Sequence, residues 1–424
     1  MADSFGHFRL AINDPCYFFG RSELLLEVKR SPFEVRILLG GRRLGKTSLL
    51  NAIRWNLLGA EEQASNRALP VLFNLQQEQP KNLDNFRYLL IARLQETIEN
   101  PQPEQGSGFD WQHTYRRFLR QLSGGGVNLL GIQLNVTNPA KEQRLIHEDF
   151  SQDLLNIIRQ LQQQNCRGVS FLFDGAEYIV KQPWANDAWS YLRSLKDTTN
   201  TAIQPFLGLF LSGYRDLKDY QQRVGSPLLN IAEVKWLTTL TQSETQTLIM
   251  RRCEDEKSRL TDKGVNTVIE WAGCHPYLTN QMLNGIFENN RRKKPLSGKG
   301  LIRYLIRQHR RRDFSAWWDE EQRSYGFGEL EQSIYLALAR KRQGIAETLT
   351  KQVNLSIGQV EDALEVLAGT GVIRQLDDEN YAIGARLFEQ WVAQERCQPK
   401  SKRSDIASSS SGAIPVDLYP SPSL

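Results

Sequence analysis

The segment from Gly40 to Leu50, GGRRLGKTSLL, constrains the fold more than any other part of the chain. It fits the P-loop pattern, in which a glycine, four variable residues and a second glycine precede Lys46 and Thr47. Gly40 and Gly45 allow the sharp backbone path that turns successive N–H groups toward a phosphate. Lys46 is expected to reach the β- and γ-phosphates of a nucleotide, and the Thr47 hydroxyl is expected to hold Mg²⁺.

The flanking sequence contains the strand and the helix that a P-loop connects. Upstream, Phe33 to Gly40 reads as a buried strand. Downstream, the apolar residues of KTSLLNAIRWNLLG recur at helical spacing, and this helix adds the positive end of its dipole. An ordinary glycine-rich turn is the alternative, but the complete motif in this context favours a P-loop. The predicted nucleotide-binding residues of the loop are Gly40, Gly41, Arg42, Arg43, Leu44, Gly45, Lys46, Thr47 and Ser48.

Length and composition are those of a globular protein with two or three domains. Of the 424 residues, 40% are hydrophobic and 24% are charged. No apolar run approaches the roughly 18 residues of a transmembrane helix, and the N-terminal residues lack the pattern of a signal peptide. Five widely separated cysteines without a CxxC pair predict neither a zinc site nor a disulfide framework, which favours a cytoplasmic location. The net charge of +5 does not by itself indicate nucleic-acid binding.

The pattern of apolar residues divides the chain into segments of different architecture. From about Phe19 to Leu237, strands and helices alternate, which predicts an α/β fold with a parallel sheet covered on both faces. From Thr238 the pattern becomes helical, and later residues read as three helices, a hairpin and a final helix, an order that resembles a winged helix. The predicted domains are a P-loop α/β domain at 1–237, a helical lid at 238–328, a winged-helix-like domain at 329–396 and a disordered Ser- and Pro-rich tail at 397–424.

A second strand carries the acid that a P-loop site needs for its metal ion. Ser170 to Glu177, SFLFDGAE, contains an apolar strand that ends in Asp174. From this position a carboxylate can hold Mg²⁺ through the water shell of the ion. The general base is less well defined, because Gly175 directly follows the aspartate and Glu177 is the nearest acid that could polarise a water molecule. A Glu177 that only caps the following turn is the alternative.

A third strand end carries a cation. Phe210 to Leu217, FLSGYRDL, contains a strand that ends at Ser212 and Gly213, and Arg215 follows. Ligands bind at the carboxyl ends of strands in such sheets. Arg215 is therefore expected to reach the γ-phosphate and to report whether it is present. A surface arginine after a turn is the alternative.

Taken in order, these motifs resemble the STAND class of P-loop ATPases, in the AAA-like branch found mostly in bacteria and archaea. The resemblance covers about Phe18 to Glu395 and includes the double arginine of the P-loop. The segment YFFGRSELL resembles the Gly-Arg motif of the family, which lies near the adenine and the phosphates. The resemblance thus assigns nucleotide contacts to Gly20 and Arg21, and it implies an AAA-like P-loop NTPase fold followed by an α-helical lid and a winged-helix domain.

The same resemblance assigns roles to residues outside the P-loop. GCHPYLTNQML resembles the helical-domain motif whose proline, here Pro276, packs on the adenine. Arg215 matches the arginine sensor of the family, whereas the glycine after Asp174 replaces the glutamate that many of its relatives have there. There are two further departures, since Glu23 falls one residue earlier than the usual acid and Cys274 replaces a usual glycine.

The charged residues after the α/β region are segregated. Arg291 to Arg312 holds ten Lys or Arg residues and no acid. This segment is compatible with contacts to nucleic-acid phosphates, with an acidic protein partner, or with a solvated face. The third helix of the winged-helix-like region carries three acids and no Lys or Arg, and the wing of its hairpin carries three more acids, which disfavours contact with DNA. These acids are Glu361, Asp362, Glu365, Asp377, Asp378 and Glu379.

Two hypotheses of function follow. The first is a STAND-type signalling switch that binds ATP and Mg²⁺, hydrolyses ATP slowly, and couples nucleotide state to self-association or partner recruitment. Because no effector or sensor domain is visible, this hypothesis implies a homo-oligomer in the ATP state and a separate partner protein. The second is a DNA-binding AAA-like ATPase of the replication-initiator or transposition-helper type, which would use Arg291 to Arg312. No membrane contact is expected in either case.

Overall fold

The structure, a computed structural model, describes residues 11–12, 14–59, 67–99, 146–163, 165–309, 313–319, 326–377 and 379–396. Four predicted segments lie outside these residues: a loop at Asn100 to Gly108, a helix break at Gly124 to Gly126, a short hairpin or insertion strand at 127–136, and the tail from residue 397. No helix within the described residues is long and apolar enough to cross a membrane.

The chain forms two compact units. The described residues of the sheet unit lie within 10–40 and 45–237, and those of the helical unit lie within 41–44 and 238–396. The middle of the P-loop, Gly41–Leu44, therefore clusters with the helical unit, although the residues on both sides of it belong to the sheet unit.

The sheet unit alternates strands and helices along the chain. Its described elements are α1 (Ser22–Arg30), β1 (Val35–Leu39), α2 (Lys46–Leu58), β2 (Ala68–Asn74), α3 (Leu75–Glu78), α4 (Leu83–Glu99), α5 (His147–Gln162), β3 (Gly168–Asp174), α6 (Glu177–Val180), α7 (Ala185–Leu195), β4 (Leu207–Gly213), α8 (Arg215–Val224) and β5 (Glu233–Trp236).

The five strands form one parallel sheet in the order β2–β3–β4–β1–β5, as the alternation predicted. All five residues of β1 are buried. Successive residues of a strand point to opposite faces, so both faces of the sheet are covered there. Because β1 and β3 are both hydrogen-bonded to β4, the carboxyl ends of these three strands lie side by side. This edge is where parallel sheets bind ligands.

The helical unit contains helices and one small sheet. Its described elements are α9 (Gln242–Asp255), α10 (Asp262–Ala272), α11 (Pro276–Asn290), α12 (Gly298–His309), α13 (Ser315–Trp318), α14 (Glu329–Lys341), β6 (Gln343–Ile345), α15 (Ala346–Val353), α16 (Ile357–Ala368), β7 (Ile373–Gln375), β8 (Asn380–Ile383) and α17 (Arg386–Arg396). The three strands pair antiparallel in the order β6–β8–β7.

Aromatic rings from both sides of residue 328 pack into one cluster. The ring of Phe388 lies with its centroid 5.5 Å from Phe314, 5.7 Å from Trp317, 5.4 Å from Tyr335 and 5.7 Å from Trp391. Large buried rings of this kind contribute much of the stability of a core. A truncation at residue 328 would therefore expose a core, and point substitutions are the better test of the segment that follows.

Two element boundaries differ from the prediction for local reasons. The apolar run ALPVLFNL predicts a strand from about Pro70 to Leu75, but β2 ends at Asn74 because the Asn74 side chain accepts the N–H groups of Gln76 and Gln77 and starts α3. The sequence also predicts a long helix from Leu301 to about Glu321, but the described residues there form two helices, α12 and α13, and α13 is followed by an extended residue. Strand β6 was not predicted, since its three residues gain their structure only by pairing with β8.

Candidate nucleotide site

The P-loop connects β1 to α2 with the backbone geometry that an anion requires. Arg43 and Gly45 have φ angles of +72° and +94°, and α2 begins at Lys46. Left-handed residues in such a loop turn successive N–H groups toward one side and create a concave anion site. The Lys46 ammonium donates to the carbonyl oxygen of Gly40 at 2.7 Å, which holds the lysine over the loop.

Asp174 at the end of β3 meets the P-loop. The Thr47 hydroxyl donates to Asp174 Oδ2 at 2.8 Å, and the Ser212 hydroxyl at the end of β4 donates to Asp174 Oδ1 at 2.6 Å. Both oxygens of the carboxylate are therefore oriented by hydroxyl groups. The predicted partners Thr47 and Asp174, which are far apart in sequence, are brought into direct contact.

Glu177 is the first residue of α6 and is almost fully buried, with 3% of its surface exposed. Its Oε2 atom has no hydrogen-bond partner among the described residues. Burial raises the pKa of Glu177, while the Lys46 charge acts to lower it. Burial also lowers the pKa of Lys46, and the charges of Glu177 and Asp174 oppose that shift. Lys46, Asp174 and Glu177 thus form one electrostatically coupled group.

The backbone at Gly175 disfavours a glutamate directly after the aspartate. Its φ angle is +73°, and a Cβ atom there would lie 3.0 Å from Cγ of Gln76. Its N–H group donates to the Ser212 hydroxyl at 3.3 Å. The backbone path between Asp174 and α6 therefore requires glycine, and this path places the next acid at Glu177.

Installing a glutamate at Gly175 is expected to lower ATP turnover and stability, although it restores the more common sequence. Left-handed strain on a side-chain-bearing residue costs about 1–3 kcal/mol, and the contact with Gln76 adds to it. Gly225→Ala is the matched control, because Gly225 has a φ angle of +67° with nothing within 4 Å of a Cβ atom. Denaturant unfolding and steady-state hydrolysis measure the two effects. Faster hydrolysis by Gly175→Glu would show that the site accepts a base at this position.

Arg215 lies at the first residue of α8, directly after β4 and Tyr214. Its Nε atom is 3.5 Å from Asp219 Oδ2, an i, i+4 pair along its own helix. Helices α6 and α8 pack together, and the charge of Asp216 acts on Glu177. The predicted sensor is therefore on an element next to Glu177, but its described ion pair is within α8.

The remaining predicted contacts in the sheet unit lie around α1 and α2. Gly20 and Arg21 have positive φ angles of 82° and 61° and precede α1, which packs against α2. The Ser48 hydroxyl accepts the Ile12 N–H group at 2.9 Å, and the Asn51 amide donates to the Ile12 carbonyl at 3.0 Å. These two hydrogen bonds hold the chain before α1 against the first turns of the P-loop helix.

Pro276 is the first residue of α11 in the helical unit, a position that suits proline. The preceding His275 is fully buried and stacks on Trp317, with ring centroids 5.3 Å apart. Cys274, which stands where the resemblance leads to an expected glycine, adopts a left-handed φ of +59°. The cysteine therefore keeps the backbone path that glycine would take.

Sequence reasoning did not assign functional roles to three residues near the P-loop. Ser212 had a signal, because it ends an apolar strand as Asp174 does. No signal in the sequence pointed to Gln76, because its place beside Gly175 depends on where α3 begins. Asp313, which contacts Arg43, had none either, because the two residues are distant in sequence.

The residues present fit a magnesium ion that is held together with a nucleotide. Within the described residues, no group of three or more His, Cys, Asp or Glu side chains could hold a metal ion. One hydroxyl and one carboxylate, as in Thr47 and Asp174, suit Mg²⁺ when phosphate oxygens and water complete its shell.

Comparison with protein-family models found no matching family, and comparison with curated proteins found no matching sequence. Among solved structures, the Walker-type ATPase of Pyrococcus abyssi matches at 15% identity with a TM-score of 0.58, covering 91% of this chain and 98% of that one. The Aeropyrum pernix ORC1 protein in complex with DNA matches at 12% identity with a TM-score of 0.41, covering 90% and 94%. The Thermotoga maritima RuvB branch migration motor matches at 12% with a TM-score of 0.38, covering 91% and 98%.

At these scores we draw nothing from the last two matches. The likeness to the Pyrococcus abyssi protein extends over nearly the whole of both chains. Together with the strand order and the P-loop, it shows that this chain has the fold of a P-loop ATPase.

Proposed function

We propose that the chain binds ATP and Mg²⁺ at the P-loop and uses the state of the nucleotide as a STAND-type signalling switch in the cytoplasm. The observation that carries the proposal is the 2.8 Å hydrogen bond between Thr47 and Asp174, which joins the P-loop helix to the acidic strand end. A hydroxyl and a carboxylate in contact beside a loop of inward N–H groups form the protein part of a magnesium–phosphate site.

The proposed roles follow from position and charge. The loop N–H groups from Gly40 to Ser48 and the Lys46 ammonium hold the phosphates, while Thr47 and Asp174 hold the metal ion. Glu177, buried and with one oxygen unpaired among the described residues, orients the attacking water and accepts its proton. Arg215 contacts the γ-phosphate and reports its presence. When bound, Mg²⁺ would neutralise charge on the phosphates.

Slow hydrolysis is part of the proposal. The position after Asp174 is glycine, and Glu177, the acid that we assign as the base, lies two residues further along the chain. A slow ATPase stays long in one nucleotide state, which suits a switch that changes assembly or partner binding. We propose self-association in the ATP state and a separate effector or sensor protein as partner.

The segment at 329–396 is proposed to be a winged-helix domain that contacts protein rather than DNA. Helix α16 exposes three acids and no Lys or Arg. Acids on this helix would repel the phosphates of a duplex. The exposed acids of α16 are Glu361, Asp362 and Glu365, and Asp377 and Glu379 of the hairpin are also exposed.

The direct test of the proposal is calorimetric titration of the protein with ATP and ADP, with and without Mg²⁺. Micromolar or tighter binding of both nucleotides that strengthens with Mg²⁺ is expected. Light scattering on the same samples tests assembly, which should increase with ATP but not with ADP. Absence of binding to either nucleotide would reject the function, whereas binding without assembly would reject only the switch.

One observation supports the alternative of a DNA-binding AAA-like ATPase. Five cations on and before α12 are exposed, and none has an ion pair within the described residues. They are Lys293, Lys294, Lys299, Arg303 and Arg307. If DNA binds through this surface, the logarithm of the binding constant should fall steeply and linearly with the logarithm of the salt concentration. Charge reversal at Lys299, Arg303 and Arg307 separates the two functions, since it should abolish DNA binding if the alternative holds.

A further inference from the structure

We propose that Asp313 is a positioning residue for the P-loop, which acts by holding the Arg43 side chain and so keeps the loop backbone in its phosphate-binding conformation. The inference rests on the proposed nucleotide function and adds to it a residue of the helical unit. Arg43, Asp313, Tyr277, His309 and Gly369 all belong to the helical unit.

Arg43 has a backbone conformation that its residue type disfavours. Its φ angle is +72°, in the left-handed region where a Cβ atom crowds the following carbonyl. Such a conformation persists when surrounding contacts impose it. At this point of a P-loop it serves a purpose, because the left-handed turn directs N–H groups toward the anion.

The contacts that impose this conformation come from the Arg43 side chain. Its Nε atom lies 3.4 Å from Asp313 Oδ1, and its guanidinium carbon lies 4.9 Å from the centre of the Tyr277 ring. This direction takes the guanidinium to the helical unit, where Tyr277 follows the first residue of α11. A cation held between a carboxylate and an aromatic face is fixed in position at modest desolvation cost.

Asp313 is itself held rigidly. Its side chain is fully buried, and Oδ2 accepts the Tyr277 hydroxyl at 3.0 Å and lies 3.1 Å from Nδ1 of His309. Burial acts to raise the pKa of Asp313, but the hydrogen bond and charge of His309 and the charge of Arg43 bring it below its ordinary value. The carboxylate therefore stays ionised and oriented toward Arg43 at neutral pH.

A second contact holds the same loop close to Arg43. The Gly41 N–H group donates to the Gly369 carbonyl at 2.5 Å, and a Cβ atom on Gly41 would lie 2.8 Å from Thr370 Cα. The turn after α16 and the Asp313 carboxylate thus fix the loop on both sides of Arg42. Both contacts lie within the helical unit, and together they hold residues 41–43 in one backbone conformation.

The test measures release of a fluorescent ADP analogue from the full chain in the presence of Mg²⁺. Asp313→Asn keeps the shape of the side chain and removes the charge that holds Arg43, and it should speed release about tenfold. Glu288→Gln, an exposed acid neutralised on α11, is the control and should release ADP at the wild-type rate.

Arg43→Gly separates positioning from other effects of Asp313. Glycine adopts the left-handed conformation without a side-chain contact, and this variant removes the side chain through which Asp313 is proposed to act. In its background, Asp313→Asn should have no further effect on release. If Asp313→Asn speeds ADP release equally in the wild-type and the Arg43→Gly protein, the proposal is overturned, because Asp313 would then act only on folding. Slower release would also overturn it, since that is the result expected if Asp313 merely repels phosphate.

A nucleotide-free readout distinguishes failure of this inference from failure of the proposed function. Amide hydrogen exchange of the peptide that covers residues 41–45 should speed up several-fold in Asp313→Asn protein without ligand. Unchanged exchange there would overturn the inference even if ADP binds as proposed. Faster exchange in a protein that binds no nucleotide would sustain the positioning role and reject the nucleotide function.

Discussion

Replacing Lys46 with alanine is expected to remove measurable ATP and ADP binding while the protein stays folded. A P-loop lysine reaches the β- and γ-phosphates, and the Lys46 ammonium already lies over the loop at 2.7 Å from the Gly40 carbonyl. Hydrogen bonds to charged groups contribute about 1.5–3 kcal/mol each. Loss of bonds to two phosphates therefore corresponds to a decrease in affinity of about 10²–10⁴-fold.

The experiment is a calorimetric titration at matched protein concentration, with thermal unfolding to confirm the fold. Lys46→Met is the second variant, because it keeps the length of the buried side chain while removing the charge. Lys29→Ala, at an exposed position on α1, is the matched control and should bind as wild type. Nucleotide affinity that survives in a folded Lys46→Ala protein would contradict the assignment of the site.

The location of this site could be predicted because its main parts are local in sequence. The P-loop motif specifies its own backbone, and an apolar run that ends in Asp174 specifies a strand end. The carboxyl ends of parallel strands meet at one edge of a sheet, so the contact between Thr47 and Asp174 follows once both segments are placed in the same sheet. The sheet and the order of the helices that follow it were also read from apolar periodicity.

The residues that refine the site could not be predicted in the same way. The Ser212 bond to Asp174 depends on which strand lies next to β3, and the strand order β2–β3–β4–β1–β5 is a tertiary property. The conformation of Gly175 and its closeness to Gln76 depend on a helix that starts only because Asn74 caps it. Sequence periodicity does not contain information of this kind.

The contact between Arg43 and Asp313 shows the same limit at longer range. The double arginine of the P-loop was visible in the sequence, but both arginines were assigned to the nucleotide. In the structure the Arg43 side chain contacts Asp313 and Tyr277, and we propose that it contributes to phosphate binding through the backbone. A charged residue in a binding motif therefore has two possible targets, and only the fold decides between them.

Replacing Glu177 with glutamine is expected to slow ATP hydrolysis about 10²-fold or more while nucleotide affinity stays within a few-fold of wild type, as for loss of a general base. The amide keeps the shape of the buried side chain but cannot accept a proton from water. Asp174→Ala should instead remove the Mg²⁺ dependence of turnover, because it deletes the acid that holds the metal. The exposed Glu148→Gln variant is the control and should hydrolyse ATP at the wild-type rate.

The pH dependence of turnover gives the more specific test of the same residue. A general base works only as the carboxylate, so the rate should rise with pH through the pKa of Glu177 and level off above it. Because burial raises the pKa of Glu177 from its ordinary 4.5, this acid limb should lie above pH 4.5. The Glu177→Gln variant has no carboxyl group at this position, so its slow residual rate of hydrolysis should not show this rise with pH. A variant that hydrolyses ATP at the wild-type rate, or that retains the acid limb, would assign the proton transfer to another group and leave Glu177 with a structural role at the start of α6.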